Sequence, residues 1–315
     1  MAGRKSRALV TGGAGFIGSH LCDALLGAGS EVVCLDSLET GRAANIEEAK
    51  SRSGFTFIEA DVADPIDVEA DVIYHLASPA SPADYYAMPV KTMVANSVGT
   101  LNCLELAQGL GARMLFASTS EVYGDPEVSP QAEGYHGRVN PVGLRSCYDE
   151  GKRFGEALCK AYERERGTEI VIVRIFNTYG SRMRPDDGRV IPNFVCQALK
   201  GRPLTVYGDG SQTRSFCHVS DMARGLMLAM GSPEARGEVI NMGNPEEMRV
   251  IDLAAKIRDR MAADVPLVFE ELPEDDPLQR KPDITKAMRL LGWAPRVGLD
   301  EGLDDAVAWF SRSGD

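Results

Sequence analysis

The chain has 315 residues, 44% hydrophobic and 25% charged, with 32 glycines and 17 prolines. That is the texture of a globular chain long enough for two modest domains, and it excludes a disordered or collagen-like one. A formal charge of −12 repels a phosphate backbone, so nucleic acid is not an expected partner, although clustered arginines can still receive a small anion. No run of 18 apolar residues occurs to span a membrane, and Gly12 and Gly13 interrupt any signal-peptide core at once. The seven cysteines, Cys22, Cys34, Cys103, Cys147, Cys159, Cys196 and Cys217, include no Cys-x-x-Cys pair, and no histidine is spaced with them as a zinc ligand. Reduced thiols, a cytoplasmic protein and no metal site are the expectation.

Along the chain, short apolar runs at 8–11, 31–36, 55–60, 72–76, 113–118 and 170–175 predict strands. Between them lie helical patterns at 16–26, 88–110 and 148–166. In the last of these, Phe154, Ala157, Leu158, Ala161 and Tyr162 form a stripe at helical spacing, read first as core contact and second as a subunit interface. Beyond residue 180 the texture changes. Proline and glycine cluster at 180–188 and 203–210, helical patterns occupy 190–199, 220–230 and 251–261, a strand pattern covers 238–242, and an acidic segment at 270–276 precedes a short terminal helix pair. Alternating strands and helices predict an α/β fold, a doubly wound parallel (Rossmann) sheet with a smaller, partly irregular C-terminal substrate domain. Residues 1–180 with 217–250 are assigned to the first unit, and 181–216 with 251–315 to the second.

The loop after the first strand reads Thr-Gly-Gly-Ala-Gly-Phe-Ile-Gly. Gly12, Gly15 and Gly18 suit a tight turn, close approach of a pyrophosphate and close helix–strand packing, with Phe16 and Ile17 opening the helix whose amides face that pyrophosphate. Asp36 closes the second strand, placed to receive both hydroxyls of an adenine ribose and to repel a 2′-phosphate, so NAD rather than NADP is expected. A tight structural loop with an exposed aspartate is the plainer alternative. Asp61 and Val62 follow the third strand toward the adenine, and Leu76, Ala77 and Ser78 follow the fourth toward the nicotinamide.

Tyr148 and Lys152 stand four apart, on one helix face. A neighbouring ammonium favours phenolate, so Lys152 is expected to lower the Tyr148 pKa and make the phenol a usable base. Thr119, Ser120 and Glu121 follow the fifth strand, at the sheet edge where ligands bind in such folds.

These motifs, with the string Tyr-Gly-Asp-Gly-Ser-Gln-Thr-Arg at 207–214, resemble the extended short-chain dehydrogenase/reductase superfamily of nucleotide-sugar enzymes, from Arg7 to about Phe310. The strings at 75–86, 117–131, 140–153, 174–190 and 279–287 resemble more narrowly the UDP-glucuronate decarboxylases, or UDP-xylose synthases. Ser120, Glu121 and Arg280 match the positions that mark the decarboxylase site. Leu144 departs from that pattern where proline is usual, His136 where an aromatic is common, and Ile191-Pro192 has the epimerase form.

The resemblance implies an NAD-binding domain and a nucleotide-sugar domain, with Lys91 and Asn96 on the cofactor side. It also implies substrate contacts from Asn177, Arg189, Arg214 and Arg280 toward the diphosphate and from Tyr207 and Gln212 toward uridine. Tyr148 would act as base at the sugar's 4-hydroxyl, with Thr119 or Ser120 holding that oxygen. Glu121 and Arg280 would position the carboxylate and handle the proton added at C5, and subunits would pair through the two long helices as a homodimer. Two alternatives stay open: a UDP-glucuronate 4-epimerase or related epimerase/dehydratase, and a non-catalytic NAD-binding regulator.

Overall fold

The computed structural model describes residues 5–273 and 277–312; part of the acidic 270–276 segment lies outside them. Seven strands form the central sheet: β1 (Arg7–Thr11), β2 (Glu31–Asp36), β3 (Phe55–Glu59), β4 (Val72–His75), β5 (Arg113–Thr119), β6 (Ile170–Ile175) and β7 (Val239–Met242). They run parallel in the order β7-β6-β5-β4-β1-β2-β3. The order reverses between β1 and β4, and a crevice opens there at the carboxyl ends of the strands.

Side-chain alternation explains why the inner strands are largely apolar, whereas the edge strand β3 exposes Thr56 and Glu59. Ala8, Val10, Val32 and Cys34 point to a cluster under the helices Phe16–Gly27 and Val219–Gly231. Leu9, Val33, Leu35 and Ile73 point to the opposite cluster, under the helices Thr100–Leu110 and Ser146–Arg166. A sheet covered on both faces leaves no polar side to its inner strands. A third cluster gathers the helices Val190–Leu199, Val250–Arg260 and Leu299–Arg312. Within the segment assigned to the second unit, Ile284, Ala287 and Trp293 pack instead on the sheet, in the first cluster.

Two expected helices differ from their patterns. The 88–110 pattern is broken into Pro89–Val94, a single π turn at Ala95–Gly99, and Thr100–Leu110. Polar side chains hold the wide turn: Asn96 Nδ2 donates to the Thr92 carbonyl at 2.8 Å and Thr100 Oγ1 to the Asn96 carbonyl at 2.8 Å.

The 146–166 helix buries one edge of the apolar stripe, Leu158 and Tyr162, together with a small-residue face beside it. Gly151, Lys152, Gly155, Cys159 and Tyr162 are inside, while Phe154 is 51% exposed and Ala157 is exposed. Close approach to the sheet requires this, since a Cβ on Gly155 would stand 2.4 Å from the Phe116 ring. Of the described helices, none is long and apolar enough to cross a membrane.

Candidate active site

The crevice at the strand ends is a cavity of about 620 Å³. It is lined by every residue expected at the cofactor and sugar ends except Asn96. Asn96 is fully buried and donates to the Ser78 hydroxyl at 2.9 Å, so it touches the cavity only through Ser78. Its place in the middle of a wide turn, rather than at a helix head, puts it behind the wall.

At one end the glycine loop is built for close contact. Gly12 has φ +71°, and a Cβ there would meet the Ala77 amide at 2.8 Å; a Cβ on Gly18 would meet the Gly12 carbonyl at 2.1 Å. Asp36 clamps this loop: its carboxylate accepts from the Ala14 amide at 2.9 Å and the Leu38 amide at 2.8 Å. Burial raises its pKa despite those hydrogen bonds. Lys91 forms ion pairs with Glu39 and, at 3.5 Å, with Asp61. The bare loop at a helix start, with a carboxylate at the next strand end, fits a dinucleotide's pyrophosphate and ribose.

At the other end Tyr148 is buried and stacks on Tyr85, with ring centroids 5.3 Å apart and planes within 9°. Burial pushes its pKa up to about 12, against the Thr119 hydroxyl and the charge of Arg189, which pull it down. Burial drives the Lys152 ammonium down to about 7, and its Nζ donates to the Ala117 carbonyl at 2.8 Å, 5.9 Å from the Tyr148 ring centre.

Glu121 lies between two guanidiniums. Arg280 reaches both its oxygens, at 2.8 Å from Nη2 to Oε2 and closer still from Nη1 to Oε1, and Arg145 Nη2 sits 2.7 Å from Oε2. Burial opposes the charge, but Arg145 and Arg280 outweigh it and hold the carboxyl at about 2. Without substrate, Glu121 is therefore held as the carboxylate. Asp149, buried beside this group with its Oδ1 unpartnered, is pushed up to about 8, first by burial and then by Glu121.

The sugar-side residues take their places from short strands and loops. Arg189 pairs with Asp187, Arg214 Nη1 donates to the Thr213 carbonyl at 2.9 Å, and Gln212 Nε2 donates to the Tyr207 carbonyl at 2.8 Å. Sequence reading missed Tyr85, Arg145 and Arg184. Arg145 stands three residues before Tyr148, a spacing that shares a helix face. Arg184 ties its own loop to the short helix Pro82–Ala87 through Asp84 at 2.6 Å and to the loop after β2 through the Thr40 carbonyl at 3.5 Å.

A glycine-loop dinucleotide end and a buried tyrosine–lysine end on one parallel sheet define an NAD-dependent sugar-modifying fold. The chain belongs to the NAD dependent epimerase/dehydratase family, whose model matches residues 8–243. It is 52% identical over 308 residues to "UDP-glucuronic acid decarboxylase 1" of Danio rerio, covering 98% of this chain and 73% of that protein. It is 54% identical over 298 residues to "UDP-glucuronic acid decarboxylase 6" of Arabidopsis thaliana, covering 94% and 86%. Among solved structures, UDP-glucuronic acid 4-epimerase from Bacillus cereus, in complex with UDP-glucuronic acid and NAD, superposes with a TM-score of 0.88 at 32% identity, covering 98% of this chain and 99% of that one.

Proposed function

We propose that this chain is an NAD-dependent decarboxylase that converts UDP-glucuronate to UDP-xylose through a 4-keto sugar. The observation that carries this reading is Glu121 held between Arg145 and Arg280 in the cavity that also contains Tyr148 and Thr119. The decarboxylase relatives, at 52–54% identity, support it over the 4-epimerase reading, whose Bacillus cereus structure stands at 32%. With the Tyr148–Lys152 pair intact, nothing favours a non-catalytic regulator.

NAD, when bound, supplies the hydride acceptor and donor at C4 and a positive charge that favours phenolate. Tyr148 accepts the proton of the 4-hydroxyl, and Thr119 holds that oxygen. A ketone at C4 lies β to the C6 carboxylate, so carbon dioxide can leave with its electron pair delocalised into the ketone. Arg280 orients that carboxylate; a proton taken up from solvent then replaces carbon dioxide at C5, and return of the hydride to C4 and of the Tyr148 proton to O4 leaves no net redox change. Arg189, Arg214 and Asn177 receive the diphosphate, and Tyr207 and Gln212 the uridine. Incubation with UDP-glucuronate, followed by carbon dioxide release and product NMR, tests the reading: UDP-xylose is expected, and UDP-galacturonate without carbon dioxide would replace it by epimerisation.

Asp36 at the end of β2 sets the cofactor. In Asp36→Ser the preference for NAD over NADP should narrow by about tenfold or more, because the repulsion of a 2′-phosphate is removed. Unchanged affinities for both cofactors, measured by fluorescence titration, would show that Asp36 does not meet the ribose.

The same reading includes a homodimer. Val90, Met93, Val94, Val98 and Leu101 are exposed along the 89–110 segment, and Phe154 beside them on the 146–166 helix. An apolar strip on two neighbouring helices suits a four-helix bundle with a second copy. Light scattering should find a dimer at micromolar concentration and a monomer for the double variant Val98→Asp/Phe154→Asp; a monomeric wild type would remove the dimer from the reading. A cytoplasmic setting is supported by seven free cysteines, six of them buried.

A further inference from the structure

The two arginines that hold Glu121 are not equivalent. Arg280 comes from the short strand Gln279–Arg280, and Glu121 is the one side chain to which its guanidinium is hydrogen-bonded among the described residues. Arg145 is tied into the site in several ways. Its Nη2 takes Oε2 of Glu121 at 2.7 Å, and its guanidinium lies 5.9 Å from the centre of the Tyr85 ring. Its carbonyl accepts from the amides of both Tyr148 and Asp149 at 3.0 Å, where the 146–166 helix begins. Tyr85 in turn stacks on Tyr148. One side chain therefore contacts both the carboxylate and the stacking partner of the phenol.

Burial makes the consequence specific. A carboxylate as enclosed as Glu121 cannot stay ionised without a cation beside it. If both arginines turned to a carboxylate on the substrate, Glu121 would be left buried and unpaired. If Arg145 turned alone, the contact with Tyr85 would break as well. A turn by Arg280 alone leaves Glu121 paired with Arg145 and the Arg145–Tyr85 contact intact.

We infer that Arg145 is a positioning residue, the fixed partner of Glu121, which keeps that carboxylate in place while Arg280 is released to the C6 carboxylate of the sugar. The inference rests on the decarboxylase reading for the identity of the sugar, but not for the pairing of Arg145 with Glu121. The charged and titratable groups that face Glu121 are Arg145 and Asp149 from the start of the long helix, Arg280 from its strand, and the phenols of Tyr85 and Tyr148.

The test separates the two arginines with two readouts. Infrared difference spectra against Glu121→Gln, recorded with UDP-glucuronate bound in a Tyr148→Phe background so that Arg280 is drawn to the sugar, report whether Glu121 is protonated at pH 4.5, the ordinary value for a glutamate. Calorimetry reports affinity for UDP-glucuronate relative to UDP-glucose, which lacks the carboxylate. Arg145→Met should protonate Glu121 at that pH and lower kcat by about 10²-fold through misplacement, yet keep the preference for UDP-glucuronate. Arg280→Met should erase that preference, and Arg145→Lys should restore an ionised Glu121. Loss of the preference in Arg145→Met, or a Glu121 still ionised there, would overturn the division of labour. Should Arg145→Met fail to fold, Arg145→Gln carries the same readings. A wild type that releases no carbon dioxide from UDP-glucuronate fails the decarboxylase reading alone, and the infrared arm still decides the pairing.

Discussion

Replacing Tyr148 by phenylalanine is expected to slow carbon dioxide release from UDP-glucuronate by about 10²–10⁴-fold, the usual worth of a general base, while the protein stays folded and binds NAD. The substitution removes one oxygen and keeps the ring, so the stack on Tyr85 survives. The glycine loop is carried by β1 and its helix, away from the 146–166 helix, and should not register the change. With its pKa pushed up to about 12, chiefly by burial, the phenol gives up its proton only when positive charge is brought into the cavity. Loss of the hydroxyl should therefore block the first oxidation, so that neither 4-keto sugar nor carbon dioxide accumulates in NMR and gas-release assays. Melting temperature and bound NAD serve as controls. A Tyr148→Phe enzyme that oxidised C4 at the normal rate and stalled only at carbon dioxide loss would take the base role away from this residue.

How far the sequence reaches is clearest on the 146–166 helix. Phe154, Ala157 and Leu158 form the apolar stripe that a periodicity argument assigns to the core, yet the sheet side is built from Gly151, Lys152, Gly155 and Cys159. Space decides this: Gly155 lets the helix settle on Phe116, and no larger residue would. Phe154 and Ala157 are thereby left outward, while Leu158 and Tyr162 still reach the core. The strands were legible because a sheet buried on both faces allows no polar alternation, so β2 and β6 match their patterns end to end.

The π turn at Ala95–Gly99 was not legible. It depends on where Asn96 and Thr100 direct their side chains, and hydropathy carries no such information. Glu121 and Arg280 are 159 residues apart in the chain yet in contact, and only the matched strings pointed to both. Arg145 lies in one of those strings, and nothing in its sequence setting distinguishes it from the arginines that usually sit at the surface. Spacing places two side chains on one helix face, but only burial says which of them keeps its charge.

Lys152 leads to the other large effect, one on stability. Burial lowers its pKa from 10.5 to about 7, so between those values the unfolded chain holds a proton that the folded protein does not. Stability therefore rises with pH across that window, and the cost of the buried ammonium is fully present below pH 7. A shift of this size corresponds to a few kcal/mol, at about 1.4 kcal/mol per pH unit. In Lys152→Met this dependence disappears, and only a constant loss remains because the Ala117 carbonyl is left without its donor. The difference in unfolding free energy between wild type and variant should thus move in favour of the wild type as pH rises from 7 to 10.5. Asp149 titrates near 8 in both proteins and largely cancels. Urea unfolding at several pH values measures this directly, and a difference that stays flat would mean that the lysine keeps its proton in the folded protein. Activity should fall in Lys152→Met at every pH, so near neutrality the variant trades catalysis for relief from a charge that the fold holds at a cost to itself.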